Sequence, residues 1–382
     1  MRRIVLLLIM IGLALLLASG VALAAALSSS PDPRTVQTDG AVRTILRVGS
    51  KFYIGGSFTS VAGKPRSNLA AINANTGRLT GWAPKANGQV RALAASPNGT
   101  RIYAGGAFTS VSGIAHRYVV AISASTGRVD RRWKTGTDSA VLSLATSGSR
   151  VYLGGRFLKV NGRKQARLAA VDGATGKLSP RWAATADDVV QVLLPSPKNS
   201  RRIYAGGQFK RISGQKRLHL AALDPRTGTP RRDWRPNPCY PVFDLAATTR
   251  SIYVAGAGLL EEGCNAGGFA QAFRSDNGAS RWRISSNGDF QAVALLGGKI
   301  YFGGHFKGGI SSVSSPGAGK RRAGFAAVER ATGRLEARWK PTADTGVWAM
   351  TTDHKRKRVY AGGGFTKING QRKQGLARFS ER

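Results

Sequence analysis

Tyr53-Ile54-Gly55-Gly56-Ser57-Phe58 decides the fold, because the chain repeats it. The same tyrosine returns at Tyr103, Tyr152, Tyr204, Tyr253, Tyr301 and Tyr360, with spacings of 50, 49, 52, 49, 48 and 59 residues. Six of the seven copies carry a glycine pair two residues on, then a phenylalanine after one further residue: Phe58, Phe108, Phe157, Phe209, Phe306 and Phe365. The fifth copy has Ala255-Gly256-Ala257 instead. Self-similarity at a period of about 50 residues marks a repeat architecture.

Each copy reads as four strands. In the second, Val90 to Ala95 alternates, Pro97-Asn98-Gly99 turns, Arg101 to Phe108 is a second strand, and a loop runs through Gly113. Val119 to Ile122 then forms a third strand, Ser125-Thr126-Gly127 a tight turn, and Arg128 to Lys134 a fourth carrying Trp133. Short strands punctuated at this rhythm predict an all-β propeller, with seven four-stranded blades over residues 27–382. Paired glycines suit close approach between blades, and the flanking aromatics supply packing area. The seventh copy runs only to its third strand, whereas Pro31 to Gln37 precedes the first inner strand where a fourth strand belongs. This predicts a ring closed by the N-terminal segment, with no exposed sheet edge.

The chain resembles the exported bacterial β-propeller repeats of unknown function, related to the delta-sixty and kelch-like groups. The resemblance covers roughly residues 40 to 380. It rests on the Tyr-x-Gly-Gly-x-Phe segment, the third strands Leu69-Ala70-Ala71, Leu168-Ala169-Ala170 and Leu220-Ala221-Ala222, and the Thr-Gly turn after them. It implies a propeller in an extracytoplasmic setting, and it does not imply an activity.

Residues 1–26 read as a secretory leader: Arg2 and Arg3, the apolar run Ile4 to Leu17, and Ala22-Leu23-Ala24 as a cleavage site. An uncleaved anchor is the rival reading, and the membrane then enters only through this segment. Net charge is +39, from 58 basic and 19 acidic residues. Behind an export signal, this points to an anionic envelope polymer, glycan or surface as partner rather than nucleic acid. Cys239 and Cys264 are the only cysteines, and an even count in an exported chain predicts a disulfide. No cofactor or metal is expected: His116, His219, His305 and His354 fall at unrelated positions in their repeats, without metal-ligand spacing.

Strand order puts the second-to-third loops and the loops between blades on one face. Two constellations fall there. Five residues after each fourth-strand tryptophan stand Asn87, Asp138, Asp187, Cys239, Asn287 and Asp344, with Asp39 in the same register. They read as a channel-mouth ring for a cation or hydroxyl, or as turn caps. Three residues before each third strand stand Arg66, His116, Gln165, Arg217, Arg322 and Lys373, with more cations alongside. They read as a basic crown for a polyanion, or as solvated loops. Gly308 to Gly319 reads as a flexible loop, and Trp348 as facing the core beside Val347. These features favour a non-catalytic binding or scaffold module. The alternatives are a secreted polysaccharide hydrolase or lyase acting at the channel mouth, and a protein–protein platform.

Overall fold

A computed structural model describes residues 27–197, 201–258, 267–312 and 315–381. The leader reading and Cys264 both lie outside the described residues. The rest is all-β. Each repeat makes an antiparallel meander: in the first, Ala41–Val48 pairs with Lys51–Ser57, which pairs with Leu69–Asn73.

The glycine pair shapes both the meander and the ring. The first glycine faces the next repeat. A methyl on Gly105 would stand 2.8 Å from Val141 Cγ1, and one on Gly154 would stand 2.7 Å from Val190 Cγ1. Gly362 of the seventh repeat meets Val42 of the first in the same way, at 2.7 Å, so the chain of contacts returns to its start. The second glycine faces its own inner strand. A Cβ on Gly56, Gly106, Gly155, Gly207, Gly256, Gly304 or Gly363 would come closer than 3.0 Å to a backbone carbonyl at the head of that strand. There every inner strand carries a β-bulge. Val42 pairs with Gly56 and Thr44 with Gly55, and Arg43 is left over.

The fourth strand departs from expectation. It shrinks to a single bridge at Leu79, Val129, Leu178, Pro230 and Leu335. Gly81, Pro180 and Pro230 explain part of this, since neither residue type sustains a ladder. Only the fifth repeat, whose Ser280–Ser286 alternates without Gly or Pro, builds a full fourth strand among the described residues. The tryptophan at this position turns to the next repeat instead. Trp82 Nε1 donates to Ser123 O at 2.9 Å, and its ring meets Tyr53 edge-on at 4.9 Å.

The described residues of the sixth repeat's insertion form paired strands rather than the expected loop. Lys299–Ser312 and Ser315–Glu329 extend as a paired arm, with Gly308 opposite Arg322 and Ile310 opposite Lys320. The arm also pairs with the fifth repeat's fourth strand at Ile284 and Ser285. The N-terminal segment closes the ring: Leu27 bridges Glu381, Ser28 N donates to Ser380 O, and Asp32 N donates to Arg378 O.

Candidate functional site

The second-to-third loop is a two-stranded ribbon. In the third repeat Lys159–Val160 pairs with Arg163–Lys164 across Asn161-Gly162, both of which have positive φ. That is the type I′ geometry that hairpins favour. The inward residue (Val61, Val111, Val160, Ile212 or Ile368) is fully buried and roots the ribbon, while the tip projects outward.

The carboxylate and amide ring caps these ribbons. Asp39 Oδ1 accepts from Thr59 N at 2.8 Å and Ser60 N at 2.9 Å. Asn87, Asp138, Asp187 and Asp344 hold the equivalent amides, while Asn287 donates to Lys307 O. Burial pushes the Asp39, Asp138 and Asp344 carboxyls up, but these hydrogen bonds prevail and hold them below the ordinary carboxylate value. One oxygen of each, Oδ1, holds the backbone, as the turn-cap reading expects, and Oδ2 of Asp39 and Asp344 accepts from the Thr59 and Thr366 hydroxyls. Cys239 occupies this place in the fifth repeat, where its Sγ accepts from Arg283 Nη1 at 3.1 Å. Its expected disulfide partner is Cys264, which is not among the described residues.

The basic positions turn inward, which corrects the crown reading for all but His116. Arg217, Arg322 and Lys373 are only 5–7% exposed. Arg66 Nη2 donates to Thr80 O at 2.8 Å, Arg217 Nη2 to Arg231 O at 3.1 Å, Arg322 Nη2 to Glu336 O at 2.9 Å, and Lys373 Nζ to Asp32 O at 3.1 Å. The first three carbonyls sit just after the single fourth-strand bridge, and that of Asp32 takes the same place on the closing segment. The broken ladder leaves them without a strand partner, and a buried carbonyl needs one. Gln165 does similar work at Ala184 O, 2.7 Å away. His116 instead lines a surface groove of about 800 Å³ with Arg117, Arg131 and Lys134, where burial lowers its pKa.

The exposed charge sits one residue away, on the ribbons. Lys159 stands directly opposite Lys164, Arg211 opposite Lys216, and Lys367 opposite Arg372. All six are exposed, and among the described residues none is in an ion pair. Like charges facing each other across a ribbon destabilise it. Asp138, Asp187 and Asp344 sit at the bases of these ribbons, but one carboxylate does not balance two cations.

The bulges make a second constellation, which strand alternation alone does not reveal. The unpaired residue of each inner strand is Arg43, Arg91, Leu142, Gln191, Phe243, Gln291 or Trp348, and all seven line one central cavity of about 410 Å³. Trp348 therefore does not face the core. It lies in the channel wall, with the Arg43 guanidinium 3.5 Å from its ring centroid. Among the described residues the one carboxyl in this lining, Asp244, accepts from Leu245 N and Val293 N, each at 2.8 Å, and burial raises its pKa to about 7. A bulge slips the register by one, so strict alternation assigns these residues to the wrong side. The available signal was the variable residue immediately after the Val or Phe that opens each inner strand.

No family model and no curated protein matches the chain. Solved structures do. The WD40 β-propeller domain of Doa1 is 11% identical with a TM-score of 0.62, over 92% of this chain and 97% of that one. The β-propeller domain of Cps50 (Swd1) from Myceliophteria thermophila is 11% identical with a TM-score of 0.58, over 92% of this chain and 100% of that one. At this identity the likeness is one of fold, and the fold is an all-β propeller.

Proposed function

We propose that this chain is a non-catalytic, extracytoplasmic binding propeller that engages an anionic polymer or glycan through its ribbon tips. The observation that carries this reading is the set of three like-charged cross-strand pairs, Lys159/Lys164, Arg211/Lys216 and Lys367/Arg372. Each pair costs the ribbon stability, and an anion bridging the two cations would return it. Net charge of +39 and the leader-like residues 1–26 support an anionic partner outside the cytoplasm. The Tyr-x-Gly-Gly-x-Phe repeat supports membership of the exported bacterial repeat group. Propellers commonly mediate protein interactions, so an acidic protein surface is a fitting partner for the same tips.

The test is binding of the full chain to dextran sulfate, polyglutamate and anionic phospholipid vesicles at low and high salt. Binding that weakens steeply with salt, and is lost when Lys164, Lys216 and Arg372 are changed together to Glu, supports the proposal. Binding indifferent to those changes, or no binding to any of the three, overturns it.

A further inference from the structure

The central channel holds two guanidinium groups that no ion pair among the described residues neutralises. Arg43 and Arg91 are bulge residues of adjacent repeats, both in the lining of the 410 Å³ cavity. Among the described residues neither is in an ion pair. The Arg43 Nε–H is buried and has no hydrogen-bond partner. Its guanidinium lies against the Trp348 ring, which leaves its edge for a ligand. Arg91 is exposed into the lumen although protein surrounds it, and its Nε is held by Gln89. Burial lowers the pKa of both guanidinium groups, and Arg91 adds to the effect on Arg43, which falls to about 10.

From these observations we infer that the channel is a binding site for a small organic carboxylate, seated between Arg43 and Arg91. Guanidinium forks match carboxylate geometry, and the binding energy is largest where water is scarce. The same lining offers the amides of Gln191 and Gln291 for a second polar group. The half-buried bulge residues Leu142 and Phe243 of the same ring offer apolar surface for a hydrocarbon body. The volume is within the range of small-molecule sites, about 300–1,000 Å³. A monoanion fits better than a phosphate dianion, because Asp244 lines the same lumen and its carboxyl has both oxygens committed to amides. This site is separate from the ribbon tips and takes a different ligand.

The experiment is calorimetric titration of the full chain with the monocarboxylates benzoate and hexanoate, with inorganic phosphate as comparator. The expected result is saturable one-to-one binding of at least one carboxylate. That binding weakens at least about tenfold in Arg91→Gln, whose side chain projects into the lumen, and in Arg43→Gln. A matching thermal melt shows that Arg91→Gln still folds. Arginine side-chain NMR gives an independent reading, since the partnerless Arg43 Nε–H shifts on titration. Lys164→Glu, on a ribbon tip, leaves carboxylate binding unchanged. Three results overturn the inference: no saturable binding of any carboxylate, equal binding by Arg91→Gln, or phosphate binding tighter than every carboxylate.

Discussion

Asp32 and Arg378, 346 residues apart in the chain, form an ion pair in which the two side chains are 14% and 8% exposed. The pair replaces a tryptophan. Opposite the motif tyrosine in the first six repeats stands an alanine: Ala71, Ala121, Ala170, Ala222, Ala272 and Ala327. The fourth-strand tryptophan packs beside it. The seventh repeat has no such tryptophan, and Arg378 stands opposite Tyr360 where the others have alanine. The guanidinium fills the space and meets Asp32 on the closing segment, while Tyr360 packs on Phe52 of the first repeat at 4.1 Å.

Breaking this pair from one side strands a buried charge. Asp32→Ala is expected to cost about 3 kcal/mol, and Asp32→Ala with Arg378→Ala less than the sum of the two single changes. Burial pushes the Asp32 carboxyl up, but bonds from Arg378 and Arg34 prevail and lower it to about 2. A depressed carboxyl stabilises the fold above its unfolded pKa and loses that contribution as pH falls from about 4 to about 2. Discounted for solvent, the loss is on the order of 1 kcal/mol. Urea unfolding of the parent protein and Asp32→Ala across pH 2–5 measures it, and the loss of stability is smaller in Asp32→Ala by about that amount.

Ala62→Asn should stabilise the ring. Ala62 has φ of 51° at the first turn position of its ribbon, where Asn161 and Asn369 stand in other repeats. Asparagine tolerates that conformation better. Asn161 Oδ1 also accepts from Gly136 N, and Asn369 Oδ1 from Thr342 N, both at 2.9 Å. The matching amide for residue 62 is that of Gln37, on the closing segment, since Ala62 N already donates to Gln37 O. A gain of about 1 kcal/mol is expected in thermal or chemical unfolding.

The two glycines of one motif should differ in tolerance. In Gly105→Ala the new methyl meets the Val141 side chain, which can shift, and Ala255 already occupies this position in the fifth repeat. The cost is about 1–2 kcal/mol. In Gly106→Ala it meets the carbonyl of Gln89, which cannot move without undoing the bulge. This change should cost about 3 kcal/mol or more, and equilibrium unfolding of the pair ranks them.

Neighbouring residues on one ribbon should separate folding from binding. Arg217→Ala removes the donor to Arg231 O and should destabilise by about 1–3 kcal/mol while sparing polyanion affinity. Lys216→Ala should leave stability within about 0.5 kcal/mol and weaken salt-sensitive binding. Melting curves and binding isotherms of the two variants test the contrast.

Asp244 should give the opposite pH signature to Asp32. Its pKa is raised by burial to about 7, so its favourable contribution is complete below pH about 4 and is lost as pH rises through 7. The carboxyl is walled in by protein but lines the lumen, and channel water shrinks the effect to about 2 kcal/mol. Asp244→Asn should flatten the slope of stability between pH 4 and 7, whatever it does to the overall level.

The repeats, the meander and the closing segment were legible in the sequence because a tyrosine and a glycine pair returning at a steady period can only come from one unit built many times. The face of the loops was legible too. What a cation does on that face was not: Lys216 and Arg217 are adjacent, and only the unpaired carbonyl at Arg231 decides that one turns in and the other out. The fourth strand was overread, because its apolar residue and tryptophan look like a strand although the ladder stops after one bridge, at Gly81, Pro180 and Pro230 in three repeats and with neither residue type in the second and sixth. The channel lining was invisible because a bulge places one residue per repeat against the alternation rule.

That bulge is held open by the second glycine of each motif, not by the residue that occupies it. Seven side chains therefore stand around the lumen on a backbone indifferent to what they are. Arginine, leucine, glutamine, phenylalanine and tryptophan already share the same seat in different repeats. A chain built this way can exchange its interior one residue at a time without renegotiating the scaffold, so its ligand preference is free to drift while its shape stays still.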